Sequence, residues 1–155
     1  MLRIIVSLPR NRWNAGRLRL YNDSRYLLLD VPARGKADNE AAAKAGNPRR
    51  DPTLPYGDTP AGTYAPVSAV AARPESVQRI GAWWLPMEGV DGDALKAKLN
   101  GRTGLGIHAG RGDGELIATH GCVRLRDADF SALIGLMAGR PASLSIIDDD
   151  TAAAA

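Results

Sequence analysis

Cysteine occurs once in this 155-residue chain, histidine twice and phenylalanine once. A lone cysteine excludes an internal disulfide and a thiolate-rich zinc knot, though it leaves the compartment open. Aromatic residues make up 5% of the chain, too few for the stacking platforms that bind single-stranded nucleic acid. The net charge of +3 is mild, and the basic residues are scattered, with Arg49–Arg50 of "NPRRDP" the one tight pair in a loop-like stretch. No DNA- or RNA-binding motif is present, so no nucleic-acid partner is expected. No apolar run approaches the length of a membrane-spanning helix. The N-terminal "MLRIIVSLPRNRW" holds an apolar stretch at the lower limit for a signal h-region, but no small-residue cleavage site follows. Ile4 to Leu8 reads as a strand, and no export signal is visible.

What remains is the composition of an ordinary globular domain, 45% hydrophobic and 24% charged. The length fits a single domain over residues 1–155. Residues 2–8 read as a strand, and 17–33 as a hairpin turning at Asn22–Ser24. An Ala-rich helix starts at Asn39 and stops at Gly46, followed by a Pro-rich irregular segment to Pro60. "AGTYAPVSAVAA" and "VQRIGAWWLPME" read as strands. In the second, Trp83 and Trp84 face opposite ways, one suited to the core and the other to a groove. A short helix runs from Asp91 to Gly101. "TGLGIHAG" and "CVRLR" are short buried strands. "DADFSALIGLMAG" is the best helix, with Asp127 as N-cap and Phe130, Leu133, Ile134 and Met137 on one face. "ASLSIID" closes the fold, and 149–155 is expected to be a frayed tail. The order implies a mostly-β domain with a few short helices. There is no internal repeat.

The scarce residues are gathered together. Cys122 follows His120 by two positions in "ATHGCVRLRD", and His108 lies shortly upstream in "GIHAG". A cysteine nucleophile needs thiolate character, a base and donors for an oxyanion. His108 can be the base. Gly121 permits a sharp turn beside the sulfur. In an extended segment Arg124 shares a face with Cys122, where a guanidinium would favour thiolate and grip a carboxylate. Two bland readings compete: an inert buried cysteine, and a zinc site of His108, His120 and Cys122 with an open position. The "RGD" at Arg111–Asp113 reads as a turn.

"IHAG…ATHGCVRLRD" resembles the L,D-transpeptidase (YkuD-like) catalytic domain. Thr119, His120, Gly121, Cys122, Val123 and Arg124 match its signature, and "TPAGTY" (Thr59 to Tyr64) is similar to an earlier motif of the family. The resemblance spans roughly 17–148. It implies a mostly-β, β-sandwich-like catalytic fold needing neither metal nor cofactor. It implies action on peptidoglycan stem peptides in the periplasm or cell wall. The cysteine attacks the carbonyl before the fourth-position D-alanine, and D-alanine leaves. Another stem's amine then takes the acyl group as a 3→3 cross-link, or water takes it in carboxypeptidase activity. Carbapenems acylate the same cysteine.

By the same resemblance Cys122 is the nucleophile and His108 the base, its second ring nitrogen held by the Ala109 carbonyl. The amides of Gly121 and Cys122, with His120, line the oxyanion hole. Arg124 recognises a substrate carboxylate, with Thr119 beside it. Two departures stand out. Only 13 residues separate His108 from Cys122, a short loop that opens the pocket. The segment 34–58 is an insert suited to a lid or groove wall. An alternative on the same fold is a secreted antibacterial toxin, with a secretion system and an immunity protein as partners. Papain-like hydrolases place the cysteine before the histidine, at a helix start, and do not fit this order.

Overall fold

A computed structural model describes residues 1–110 and 116–152. Nine strands form two mixed sheets. The first holds β1 (Leu2–Leu8), β2 (Gly16–Tyr21), β3 (Leu27–Ala33), β4 (Gly62–Val67) and β9 (Ala142–Asp148), in the order β3-β2-β1-β9-β4. The second holds β5 (Val70–Ala71), β6 (Trp83–Pro86), β7 (Gly106–His108) and β8 (Val123–Arg124), in that order. Four helices complete the described residues: α1 (Asn39–Lys44), α2 (Val77–Ile80), α3 (Gly92–Leu99) and α4 (Asp127–Met137). The mostly-β expectation holds at this level.

The first sheet is built by alternation. Ile4 and Val6 of β1 lie opposite Leu20 and Leu18 of β2, and opposite Leu144 and Ile146 of β9. All six are buried, so the register sets one apolar row after another against the core. Each such side chain contributes about 1.5–3 kcal/mol by leaving water. α4 adds Phe130, Leu133 and Met137 to the same core, with Ile134 partly buried against it. β1 is therefore the middle strand, and the folded core begins at residue 2 rather than near 17. It also extends past 148. Asp149 donates its amide to Leu8, and Asp150–Ala152 forms a 3-10 turn with Ala152 buried. The expected fraying from 149 does not occur over these four residues.

The second sheet is short, and its register positions the site. Leu85, Ile107 and Val123 align across β6, β7 and β8 and are fully buried in the core. Because neighbours alternate faces, Trp84, His108 and Arg124 form a row on the other side. Segment 34–58 runs alongside. Arg34 exchanges two backbone hydrogen bonds with Arg124, at 3.0 and 2.8 Å, and Thr119 bonds to Lys36 and Asp38. The insert is thus a wall joined to the sheet.

Several local expectations shift by a residue or more. Asp38, not Asn39, caps α1, its Oδ1 accepting from Ala41 N at 2.8 Å. Arg126 occupies the cap position of α4, and Asp127 instead accepts from Gly110 N at 2.9 Å, tying α4 to the turn after β7. Val77–Ile80 is a helical turn rather than strand. Pro74 starts a 3-10 turn that runs into it, and Gly81 at φ 85° ends it. Neither tryptophan enters the core: Trp83 is exposed and Trp84 half-buried. Asp91 caps α3 and Gly101 follows its end, as expected. Arg111–Asp113 lies outside the described residues.

Candidate functional site

His108 ends β7 and is 3% exposed. Its Nδ1 donates to the Ala109 carbonyl at 2.8 Å, since a carbonyl can only accept. This is the contact the family resemblance implies, and it leaves Nε2 as the ring's basic nitrogen. Burial holds the imidazole down, to about 4, with Arg124 and Arg79 adding to the effect and the Ala109 bond opposing it. The ring is neutral at pH 7.

Cys122 immediately precedes β8. β7 and β8 are parallel, with His108 opposite Arg124, so Cys122 lies two residues back along the His108 side. Both residues line one cavity of about 660 Å³. Cys122 keeps partial access to solvent. Its Sγ donates to the Gly104 carbonyl at 3.5 Å and accepts from the Gly106 amide. Burial pushes the thiol up, and Gly106, Arg102, Arg124 and Arg79 pull it back only in part. The resting pair is thiol and neutral imidazole, so Arg124 does not produce a standing thiolate as the sequence suggests. Desolvation outweighs it.

The loop bearing Cys122 is shaped by three neighbours. Gly121 sits at φ +111°, and a Cβ there would lie 2.3 Å from the Gly57 carbonyl oxygen and 1.8 Å from Arg102 Nη2. Only glycine fits. Thr119 Oγ1 donates to the Cys122 carbonyl and accepts from Gly121 N, both at 2.9 Å. Its hydroxyl is therefore committed to the loop, while the residue itself lines the cavity. The Gly121 amide is committed with it, which removes that amide from the expected oxyanion hole. The Cys122 amide makes no hydrogen bond among the described residues. Thr59, at the start of "TPAGTY", is fully buried and donates to the Gly121 carbonyl at 2.6 Å.

Arg124 is 2% exposed and lines the cavity. Its Nη1 donates to Ala109 O at 3.1 Å and to Gly110 O at 2.6 Å. It braces the carbonyl that orients His108. His120 is exposed, and its ring tilts against Tyr56 at 5.4 Å. Among the described residues no three His, Cys, Asp or Glu side chains converge as a metal site, so His108, His120 and Cys122 are not one ligand set.

Sequence reasoning missed Arg102. It is buried beneath the loop and donates to the carbonyls of Pro52, Gly57, Asp58 and His120. Trp84 lines the cavity, as expected of one of the two tryptophans, but sequence reasoning also missed Asp38, Arg73 and Arg79 there. Nothing in their local sequence marks them, because each arrives through tertiary packing. A second cavity of about 300 Å³ lies on the Tyr56 and Arg102 side. Cys122, His120 and Gly104 line both cavities.

No helix among the described residues is long and apolar enough to cross a membrane. No family model and no curated protein matches the chain. Among solved structures it is similar to the one described as "Structure of Bdellovibrio bacteriovorus Bd1075", with a TM-score of 0.59 and 17% sequence identity. The match covers 94% of this chain and 48% of that one. The chain thus spans about half the length of that protein, and the likeness is one of fold alone.

Proposed function

We propose that this chain is a cysteine acyltransferase of the L,D-transpeptidase type, acting on tetrapeptide stems of peptidoglycan. The observation that carries this reading is the pairing of His108 with Cys122 on one cavity, with Nδ1 fixed on the Ala109 carbonyl. That arrangement supplies a nucleophile and an oriented base, and it needs no third side chain.

The reaction starts from thiol and neutral imidazole. Sγ attacks the carbonyl carbon of the third stem residue as the thiol proton passes to His108 Nε2. The oxyanion forms near the Cys122 N–H, the loop amide not used by Thr119. As the C–N bond breaks, the imidazolium returns the proton to the departing D-alanine amine, and a thioester remains. An amine of a second stem then attacks the thioester, the sulfur takes the proton back through His108, and a 3→3 cross-link results. Water in place of the amine gives a tripeptide acid. Two cavities meeting at Cys122 suit a reaction in which donor and acceptor both approach one sulfur. The place of work on this reading is the periplasm or cell wall, where the stems are.

The test is to incubate the protein, and its Cys122→Ala variant, with disaccharide-tetrapeptides and identify products by mass spectrometry. The expected result is loss of D-alanine, with or without a cross-linked dimer, in the native protein only. No Cys122-dependent product would overturn the reading.

A further inference from the structure

Among the described residues, the cavity that holds Cys122 and His108 is lined by three arginines, Arg73, Arg79 and Arg124, and one acid, Asp38. Two of these four already have work. Asp38 Oδ1 caps α1, and Arg124 Nη1 holds the Ala109 and Gly110 carbonyls. Arg79 differs. It is exposed on α2, and its one hydrogen bond among the described residues is a long one, 3.4 Å, to Ser76 Oγ in its own turn. No carboxylate lies within ion-pair distance of it among the described residues.

Its position is nevertheless well defined. Gly81 ends α2 at φ 85°, and the backbone there packs against Gly110, where an added Cβ would meet Gly81 N at 2.5 Å. α2 therefore rests on the turn that follows His108. The Arg79 charge is felt at the reacting groups, since it lowers His108 and favours ionised Cys122. A guanidinium on the nucleophile's cavity, with one long hydrogen bond among the described residues, suits a planar anion held by two oxygens.

We propose that Arg79, on the connection between β5 and β6, grips a carboxylate of the acyl donor, with Arg73 adding positive charge along the same wall. This rests on the acyl-transfer reading and names its specificity residue. It also moves carboxylate recognition from Arg124 to a residue outside the cysteine motif.

The test uses two alkylating probes of similar size. Iodoacetate is an anion and iodoacetamide is neutral. In each, Sγ displaces iodide, an S–C bond forms, and the thiol proton is released. The measurement is the ratio of the two Cys122 alkylation rates, which cancels any change in thiol reactivity itself. Arg79→Gln is expected to lower the iodoacetate-to-iodoacetamide ratio about tenfold, the scale of one charge-assisted hydrogen bond, and Arg79→Lys to restore part of it. With the tetrapeptide stem, Arg79→Gln should raise KM more than it lowers kcat. An unchanged ratio would overturn the proposal, and so would an unchanged KM. If the ratio falls but the native protein turns over no stem peptide, the carboxylate site stands and the peptidoglycan reading fails. If stems are turned over and the ratio does not move, the peptidoglycan reading stands and Arg79 is removed.

Discussion

The two sheets solve different problems. In the first, strands of six or seven residues pair over long ladders, and stability comes from rows of aliphatic side chains such as Leu20, Ile4 and Leu144. In the second, strands of two to four residues carry only one inward row, Leu85, Ile107 and Val123. The rest of the site is held by side chains on backbone carbonyls: Arg124 on Ala109 and Gly110, Arg102 on Gly57, Thr59 on Gly121. The first sheet is a scaffold that tolerates exchange of one aliphatic residue for another. The second depends on hydrogen bonds whose geometry cannot be averaged over many contacts.

The largest expected effect separates chemistry from packing within the second sheet. His108→Ala should slow Cys122 acylation by about 10²–10⁴-fold, the usual worth of a positioned general base. His120→Ala, an exposed ring on Tyr56, should cost less than about tenfold on the same scale. Single-turnover acylation, for example by a carbapenem followed by intact mass, ranks the two. The reverse ranking would make His120 the base.

A pair of substitutions then sets one sheet against the other. Ile4→Ala removes a fully buried side chain and should cost about 2–5 kcal/mol of stability, with turnover per folded molecule preserved. Gly121→Ala should cost about 1–3 kcal/mol through backbone strain and also lose turnover, because the displaced Arg102 and Gly57 hold the cysteine loop. Urea denaturation and kcat measured together distinguish them. Equal loss of turnover in both would erase the division between scaffold and site.

The last prediction is a matter of pH. His108 titrates near 4 in the folded protein, and the Cys122 thiol sits above its ordinary range. The profile of kcat/KM should therefore stay flat through pH 6.5 and fall only towards pH 4. A bell with an acid limb near 6.5 would point to a solvated histidine. Stability carries the matching sign. The unfolded chain binds a proton at His108 below about pH 6.5 and the folded chain does not until about 4. Unfolding free energy should therefore decline as pH falls across that window. The decline should be shallower in His108→Gln.

Much of this was legible in the sequence where periodicity is strong. The strand at 2–8, the hairpin at 17–33 and the apolar face of Phe130, Leu133 and Met137 follow from alternation and helical spacing. The segment Val77–Ile80 was not, because four residues with apolar side chains only at the two ends are too short to show a period that separates helix from strand. The caps at Asp38 and Arg126 were displaced by one residue, since several polar residues compete for each position.

For the site, the sequence by itself determined the reactive inventory: one thiol, two imidazoles and an arginine, spaced so that a glycine turn precedes the sulfur. Only the tertiary structure decided what each does. Register between β7 and β8 put Cys122 and His108 on one side. Burial left the thiol and imidazole neutral; the nearby cations reinforce this at His108 and only partly oppose it at Cys122. Hydrogen bonds across the fold turned Arg124 into a brace and set Arg102 beneath the cysteine loop, and packing brought Arg79 to the cavity from elsewhere in the chain. Residue identity sets which protons and electron pairs exist. Solvent exclusion and backbone geometry, which no local stretch encodes, set where they can go.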